Sequence, residues 1–200
     1  MTFKPFHKSW LFLFPLLRQE PLTTLFGKVL TEVSYLPKQN EIFEMFYIPL
    51  DEVKVVLVKQ DPYTFSNINF LHLKEQGVLI LNSALTAETG RALSHQKYWD
   101  SFIKKVIKYI AYKKPSVWLF LGMGVKNYIS SVNTNPIHLT GYNENLIKQI
   151  PINDDWNYIV PQLYPSINTS KRGFFSDENF HHINTVLEKK NLLRINWQEN

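Results

Sequence analysis

The chain contains no cysteine, which excludes disulfide staples, thiolate catalysis and cysteine-held zinc or iron–sulfur centres. The histidines that remain as metal ligands are His7, His72, His95, His138, His181 and His182. None of their spacings matches an H-E-x-x-H arrangement, so no metal site and no cofactor are expected. Also missing is any run of the roughly 18 uninterrupted apolar residues needed to cross a bilayer. The apolar stretch from Trp10 to Leu17 follows Lys4 and Lys8 in the manner of a short secretory signal. Pro15 interrupts it, however, and Arg18-Gln19-Glu20-Pro21 follows in place of a small-residue cleavage site. It reads as a core helix, and a soluble, cytoplasmic protein is expected. Internal repeats, low-complexity tracts and linkers are absent too.

What is present fits one folded unit. A chain of 200 residues, 44% hydrophobic and 14% aromatic, is long enough for a real core, so residues 1–200 read as a single domain. A net charge of +5 and a pI near 9.2 are compatible with phosphate-backbone binding without demanding it.

The organising stretch runs from Val53 to Asn82. Val55 to Val58 shows no alternation and is dominated by β-branched residues, the pattern of a parallel strand covered on both faces, and Asp61-Pro62 is a strong stop directly after it. Asp61 therefore lies just past a strand's carboxyl end, the edge where open parallel sheets bind ligands. An Asp-Pro turn there is also common without any catalytic role. Gly77 to Asn82 repeats the design, an apolar strand closing on an amide.

Elsewhere, Leu22, Leu25, Phe26, Val29, Leu30 and Val33 have helical spacing, and Ile42, Phe43 and Phe46 make one amphipathic turn. Residues Leu71 to Gln76 form a short helix. The stretch from Trp99 to Tyr112 is an amphipathic helix with Phe102, Ile103, Val106, Ile107 and Ile110 inward, ended by Pro115. Val117 to Leu121 is a third strand, followed by Gly122-Met123-Gly124, which lacks the third glycine of a nucleotide-binding turn. Ser130 to Trp156 reads as a connector of marginal structure. Tyr158 to Val160 is a fourth strand, and Phe180, Ile183, Val186 and Leu187 mark a last helix capped by Ser176 or Asp177. The expected architecture is α/β, a central four-stranded parallel sheet flanked by helices.

Taken together, these motifs resemble those of family 1 uracil-DNA glycosylases. The resemblance rests on Gln60-Asp61-Pro62-Tyr63, Gln76 through Asn82, Leu85-Thr86, Ser94-His95, Trp99, Tyr164-Pro165-Ser166, Arg172-Gly173-Phe174-Phe175 and Ile195-Asn196-Trp197, in family order over nearly the whole chain. It implies a base-excision enzyme acting on uracil in single- or double-stranded DNA, as a monomer, without a cofactor. Asp61 would then supply negative charge beside an oxocarbenium-like sugar and position the attacking water. Tyr63 would exclude a thymine methyl, with Gln60 beside it in the pocket. Asn82 would donate to a uracil carbonyl and accept from the ring N–H. Ser83, His95, Ser166, Lys171 and Arg172 would anchor the DNA backbone, although Lys171 and Arg172 could equally be ordinary surface charges.

Three departures stand out. Only thirteen residues separate Tyr63 from Gly77, where the family carries a longer stretch with a stacking aromatic and a proline-rich loop; Phe65 is either the remnant of that aromatic or a loop hydrophobe. Tyr164 stands where the family places the histidine that donates to the leaving base. A donor that fails to reach costs on the order of 3 kcal/mol, roughly a hundred- to a thousandfold in rate. Asn168 stands in place of the intercalating leucine. Two readings follow: a divergent, slow uracil-DNA glycosylase, or a glycosylase-fold module that binds DNA or a protein partner without catalysis. The Lys-, Asn- and Ile-rich usage fits a bacterial or viral source.

Overall fold

In the computed structural model, residues 6–62, 71–139, 144–162 and 178–197 are described. The strands in chain order are β1 (Tyr35–Leu36), β2 (Val55–Lys59), β3 (Val78–Asn82), β4 (Ala87–Glu88), β5 (Val117–Leu121), β6 (Pro136–His138) and β7 (Asn157–Gln162). The main sheet is parallel throughout, in the order β3-β2-β5-β7-β6, and β1 and β4 form a small separate antiparallel ladder.

The apolar runs are covered on both faces, as their lack of alternation requires. Val56, Val58, Leu79, Leu81, Trp118, Phe120 and Ile159 face a core shared with the N-terminal helices and the helix α5 (Gln96–Lys113). Val55, Leu57, Val78, Ile80, Leu119, Leu121 and Val160 face the other way, onto Ile147 of α6 (Glu144–Gln149) and onto Phe180, Ile183, Val186 and Leu187 of α7 (Glu178–Lys189). The second layer is closed by the C-terminal segment. Asn184 clamps Ile195 through both its amide groups, and Gln76 does the same for Asn196, so amide side chains stand in for a strand partner.

The expected four-stranded sheet has a fifth member. β6 pairs with β7 along the outer edge, and the amide of Leu139 reaches the carbonyl of Ile159 at 2.8 Å. Three residues opening on a proline, with two of the three exposed, carry no two-faced apolar signature, and an edge is where proline is tolerated in a sheet. The stretch expected to be a marginal connector thus contains both β6 and α6.

The N-terminal run is shorter and more amphipathic than the expected core helix. A 3-10 turn (Lys8–Trp10) leads into α1 (Leu13–Leu17); Trp10 and Leu13 are fully buried while Leu11 and Phe14 are exposed. The Trp10 indole N–H donates to the Ile48 carbonyl at 2.7 Å, tying this segment to the turn before β2. The next helix runs as α2 (Leu22–Thr24), a π turn (Leu25–Val29) and α3 (Leu30–Glu32), and buries Leu22, Leu25 and Leu30 as its spacing predicts.

One glycine decides the entry to β3. Gly77 ends the helix α4 (Leu71–Glu75) with φ of +88°, and a Cβ there would lie 2.7 Å from the carbonyl oxygen of Glu52. A Gly77→Ala substitution combines left-handed strain with a backbone clash, at a cost of roughly 2 to 3 kcal/mol. Thermal denaturation should show a melting temperature lower by roughly 5 to 10 °C. An unchanged melting temperature would mean that the α4–β3 turn relaxes freely.

Candidate active site

The parallel register places Lys59 directly beside Asn82 at the carboxyl ends of β2 and β3. Pairing continues past both strands: Ser83 N–H donates to the Lys59 carbonyl at 2.8 Å and Ala84 N–H to the Gln60 carbonyl at 3.1 Å. The Ser83 hydroxyl adds a bond to the same Gln60 carbonyl at 2.7 Å. Gln60 and Asp61 are therefore held on a rigid backbone before Pro62 turns the chain.

Asp61 is completely buried. Its Oδ2 accepts the Leu93 backbone N–H at 2.7 Å. Leu93 adopts φ of +59°, a left-handed conformation that a branched residue holds only where the surroundings enforce it. The enforcement is visible in the loop. Glu88 N–H donates to the Ser94 hydroxyl, Gln96 N–H to the Leu93 carbonyl, and β4 is laced to β1. Thr86 accepts from the Trp99 indole at 2.8 Å and lies 3.1 Å from His95 Nδ1. The aspartate is thus aimed by a loop fastened to α5.

Ser83 and His95, expected to anchor a DNA backbone, have buried side chains committed to this frame. Burial pushes the His95 imidazole below its ordinary pKa, against the opposing pull of Glu88, so it stays neutral near pH 7. A buried neutral ring positions the loop; it is poorly suited to pairing with a phosphate.

The Gly122-Met123-Gly124 turn packs against Gln60. A Cβ on Gly124 would lie 2.7 Å from Gln60 Oε1, so the missing side chain leaves room for Gln60 to lie as it does beside the Asp61-Pro62 turn. A 3-10 helix (Met123–Ser131) follows.

Beside Asn82 opens a cleft of about 200 Å³ whose lining includes Met45, Lys59, Pro62, Lys74, Ile80 and Asn82. Asn82 Oδ1 is buried, and among the described residues it has no hydrogen-bond partner. A buried acceptor without a donor is costly unless a ligand supplies one.

Lys59 was not among the residues singled out from the sequence. It is only 5% exposed, and its ammonium donates to the Asp61 backbone carbonyl at 2.8 Å. Burial pushes its pKa down to about 8, with Asp61 pulling the other way. The available signal was a lysine ending a strand buried on both faces, immediately before Gln60-Asp61-Pro62. Tyr63, Phe65, Tyr164, Ser166, Lys171 and Arg172 lie outside the described residues, as do the Ser176 and Asp177 cap positions. Among the described residues no group of His, Asp or Glu could hold a metal ion, and no helix is long and apolar enough to cross a membrane.

The five-stranded parallel sheet flanked by helices, with a buried carboxylate and a buried amide at its carboxyl edge, has the uracil-DNA glycosylase fold. A point variant of mimivirus UNG, solved in complex with UGI, matches with a TM-score of 0.70 at 16% identity, covering 96% of this chain and 88% of that one. The wild-type UNG of Nitratifractor salsuginis matches with a TM-score of 0.56 at 14% identity, covering 95% and 94%. By sequence, the chain is a homologue of curated uracil-DNA glycosylases. That of Halalkalibacterium halodurans is 29% identical over 208 aligned positions, 84% of each chain. That of Flavobacterium johnsoniae is 29% identical over 239 aligned positions, 96% of this chain and 98% of that protein. The latter alignment is longer than the chain itself, so gaps fall in this chain. No protein-family model matches.

Proposed function

We propose that this protein is a uracil-DNA glycosylase, hydrolysing the N-glycosidic bond of uracil in DNA as a shortened member of family 1. The observation that carries the reading is that the carboxyl ends of β2 and β3 bring a buried carboxylate, Asp61 two residues past Lys59, to the same sheet edge as Asn82, which pairs with Lys59, in a chain whose full-length relatives bear that name. Removing a base means stabilising a cationic sugar and an anionic leaving group after the nucleotide has been swung out of the stack. Asp61, held from behind by Leu93 N–H, offers a fixed carboxylate for the sugar and its attacking water. Asn82 reads the base: its buried Oδ1 accepts the ring N–H while its amide donates to the adjacent carbonyl. Action as a monomer at a cytoplasmic site belongs to this reading. Ser166, Lys171 and Arg172 hold the backbone, Tyr63 and Phe65 shape the base pocket, and Tyr164 donates to the leaving base.

Single-turnover cleavage of a uracil-containing single-stranded oligonucleotide tests this. Uracil release by the wild-type protein is expected, and Tyr164→His should accelerate it roughly tenfold or more, because an imidazole is the better donor to a developing anion. Salt-sensitive DNA binding without release would leave a DNA-binding module in its place.

A further inference from the structure

We propose that Lys59 is a catalytic residue that stabilises the departing base as an anion. The inference rests on the glycosylase reading above and deepens it. A base cleaved from its sugar leaves with a negative charge that must be met in a site sheltered from water. Asn82 is neutral and can orient that base, but it contributes no charge. Lys59 stands beside it in the sheet, its side chain on the same face and about one strand spacing away. Both line the same cleft.

An ammonium buried to 5% exposure at the end of an otherwise apolar strand is an expensive feature. A methionine would fill the same volume. Its contact with the Asp61 carbonyl fixes the charge within one residue of the carboxylate that serves the sugar. The two poles of the reaction, cation on the sugar and anion on the base, are thereby matched by Asp61 and Lys59 on one turn. The other cation lining the cleft, Lys74, is ion-paired with Glu44 at 2.8 Å. Among the described residues the other charged groups lining the cleft are Glu41 and Glu44, and of its two lysines Lys59 is the buried one, in register with Asn82.

The test compares wild-type protein with Lys59→Met and Lys59→Arg. In single-turnover assays Lys59→Met should slow uracil release roughly a hundredfold or more with DNA affinity unchanged, and Lys59→Arg should recover most of the loss. A second readout needs no turnover. Free uracil is titrated with pH in the presence of protein, and the ultraviolet shift of its anion is followed. The wild type should lower the pH at which bound uracil ionises, and Lys59→Met should abolish that shift. Folding is checked by melting temperature, which the methionine should raise.

Equal release rates and equal ionisation in wild type and Lys59→Met would overturn the proposal, as would a wild type that neither releases uracil nor ionises it. A borohydride-trapped protein–DNA adduct that disappears in Lys59→Met would also overturn it, by showing that the amine attacks the sugar. A wild type that ionises bound uracil without excising it would sink the glycosylase reading alone and leave the assignment of Lys59 standing.

Discussion

Asp61→Asn should reduce uracil release by about a thousandfold in a single-turnover assay while leaving the protein folded. The expected magnitude follows from what the substitution removes. The asparagine side chain has the same shape, and its carbonyl oxygen can still accept the Leu93 N–H that Asp61 Oδ2 now accepts at 2.7 Å. The loop from Ala84 to His95 therefore keeps its anchor. What is lost is the negative charge that, on the proposed mechanism, faces the sugar and orients water. Because Asp61 is fully buried, that charge acts in a medium where water screens it poorly. A loss of less than tenfold would reassign Asp61 as a structural acceptor for the strained Leu93 turn. Thermal melting of the same variant is expected to stay near the wild-type value, because the Leu93 N–H keeps its acceptor, so that a loss of release is read as loss of charge and not as unfolding.

Asn157→Leu should produce the largest loss of stability of any single substitution considered. Asn157 opens β7, is fully buried, and uses its whole hydrogen-bonding capacity. Its Oδ1 accepts from Ser116 N–H at 3.1 Å and from the Trp118 indole at 2.7 Å. Its Nδ2 donates to the carbonyls of Ala111 at 3.0 Å and Thr134 at 2.7 Å. One amide thus ties the end of α5, the start of β5 and the approach to β6 to the strand between them. Leucine keeps the volume and strands two donors and two acceptors away from water. Each such orphan costs about 1 to 3 kcal/mol, and because the four share one side chain they do not add fully. A loss of about 4 kcal/mol and a melting temperature lower by roughly 10 to 15 °C are expected from chemical and thermal denaturation. A change below about 1 kcal/mol would mean that the strand ends rearrange or admit water. Folded Asn157→Leu should keep its uracil-release rate, because the residue lies at the amino ends of the strands, opposite the Asp61-Pro62 turn proposed as catalytic.

The contrast between Asn157 and Lys59 bears on how such sites are recognised. Both are buried polar groups in a strand. Asn157 is satisfied on every side, which marks it as architecture. Lys59 carries a charge whose pKa burial depresses to about 8. Its unfolded form binds a proton more readily, so below about pH 8 the buried ammonium destabilises the fold, and that penalty fades as pH rises from there toward the ordinary lysine value. Stability surrendered at neutral pH beside Asp61 and Asn82 is the pattern expected of a functional group.

Much of this molecule was legible in one dimension. The strands β2, β3, β5 and β7 announced themselves because a strand buried on both faces must be apolar at consecutive positions, and α5 did so because one face of it is not. The places of Asp61 and Asn82 were legible because Asn82 ends such a strand and Asp61 follows just after one, and a strand's carboxyl end is a local property. β6 was illegible because an exposed edge strand puts no apolar demand on its three residues. His95 and Ser83 were placed on the right loops, but a polar residue's identity does not say whether it faces solvent or a buried partner such as Thr86 or the Gln60 carbonyl.

By itself, then, the order of residues determined four of the sheet's five strands, the long helix α5 and the last helix, and that Asp61 and Asn82 lie at the carboxyl edge, since these follow from local periodicity and from which residues stop a strand. Only the tertiary structure decided that Leu93 is strained to hold Asp61, that Gly124 makes room for Gln60, and that Lys59 lies buried beside Asn82. Each of those depends on the packing of segments tens of residues apart in sequence, and the burial that turns a surface lysine into a fixed internal charge exists only after that packing is complete.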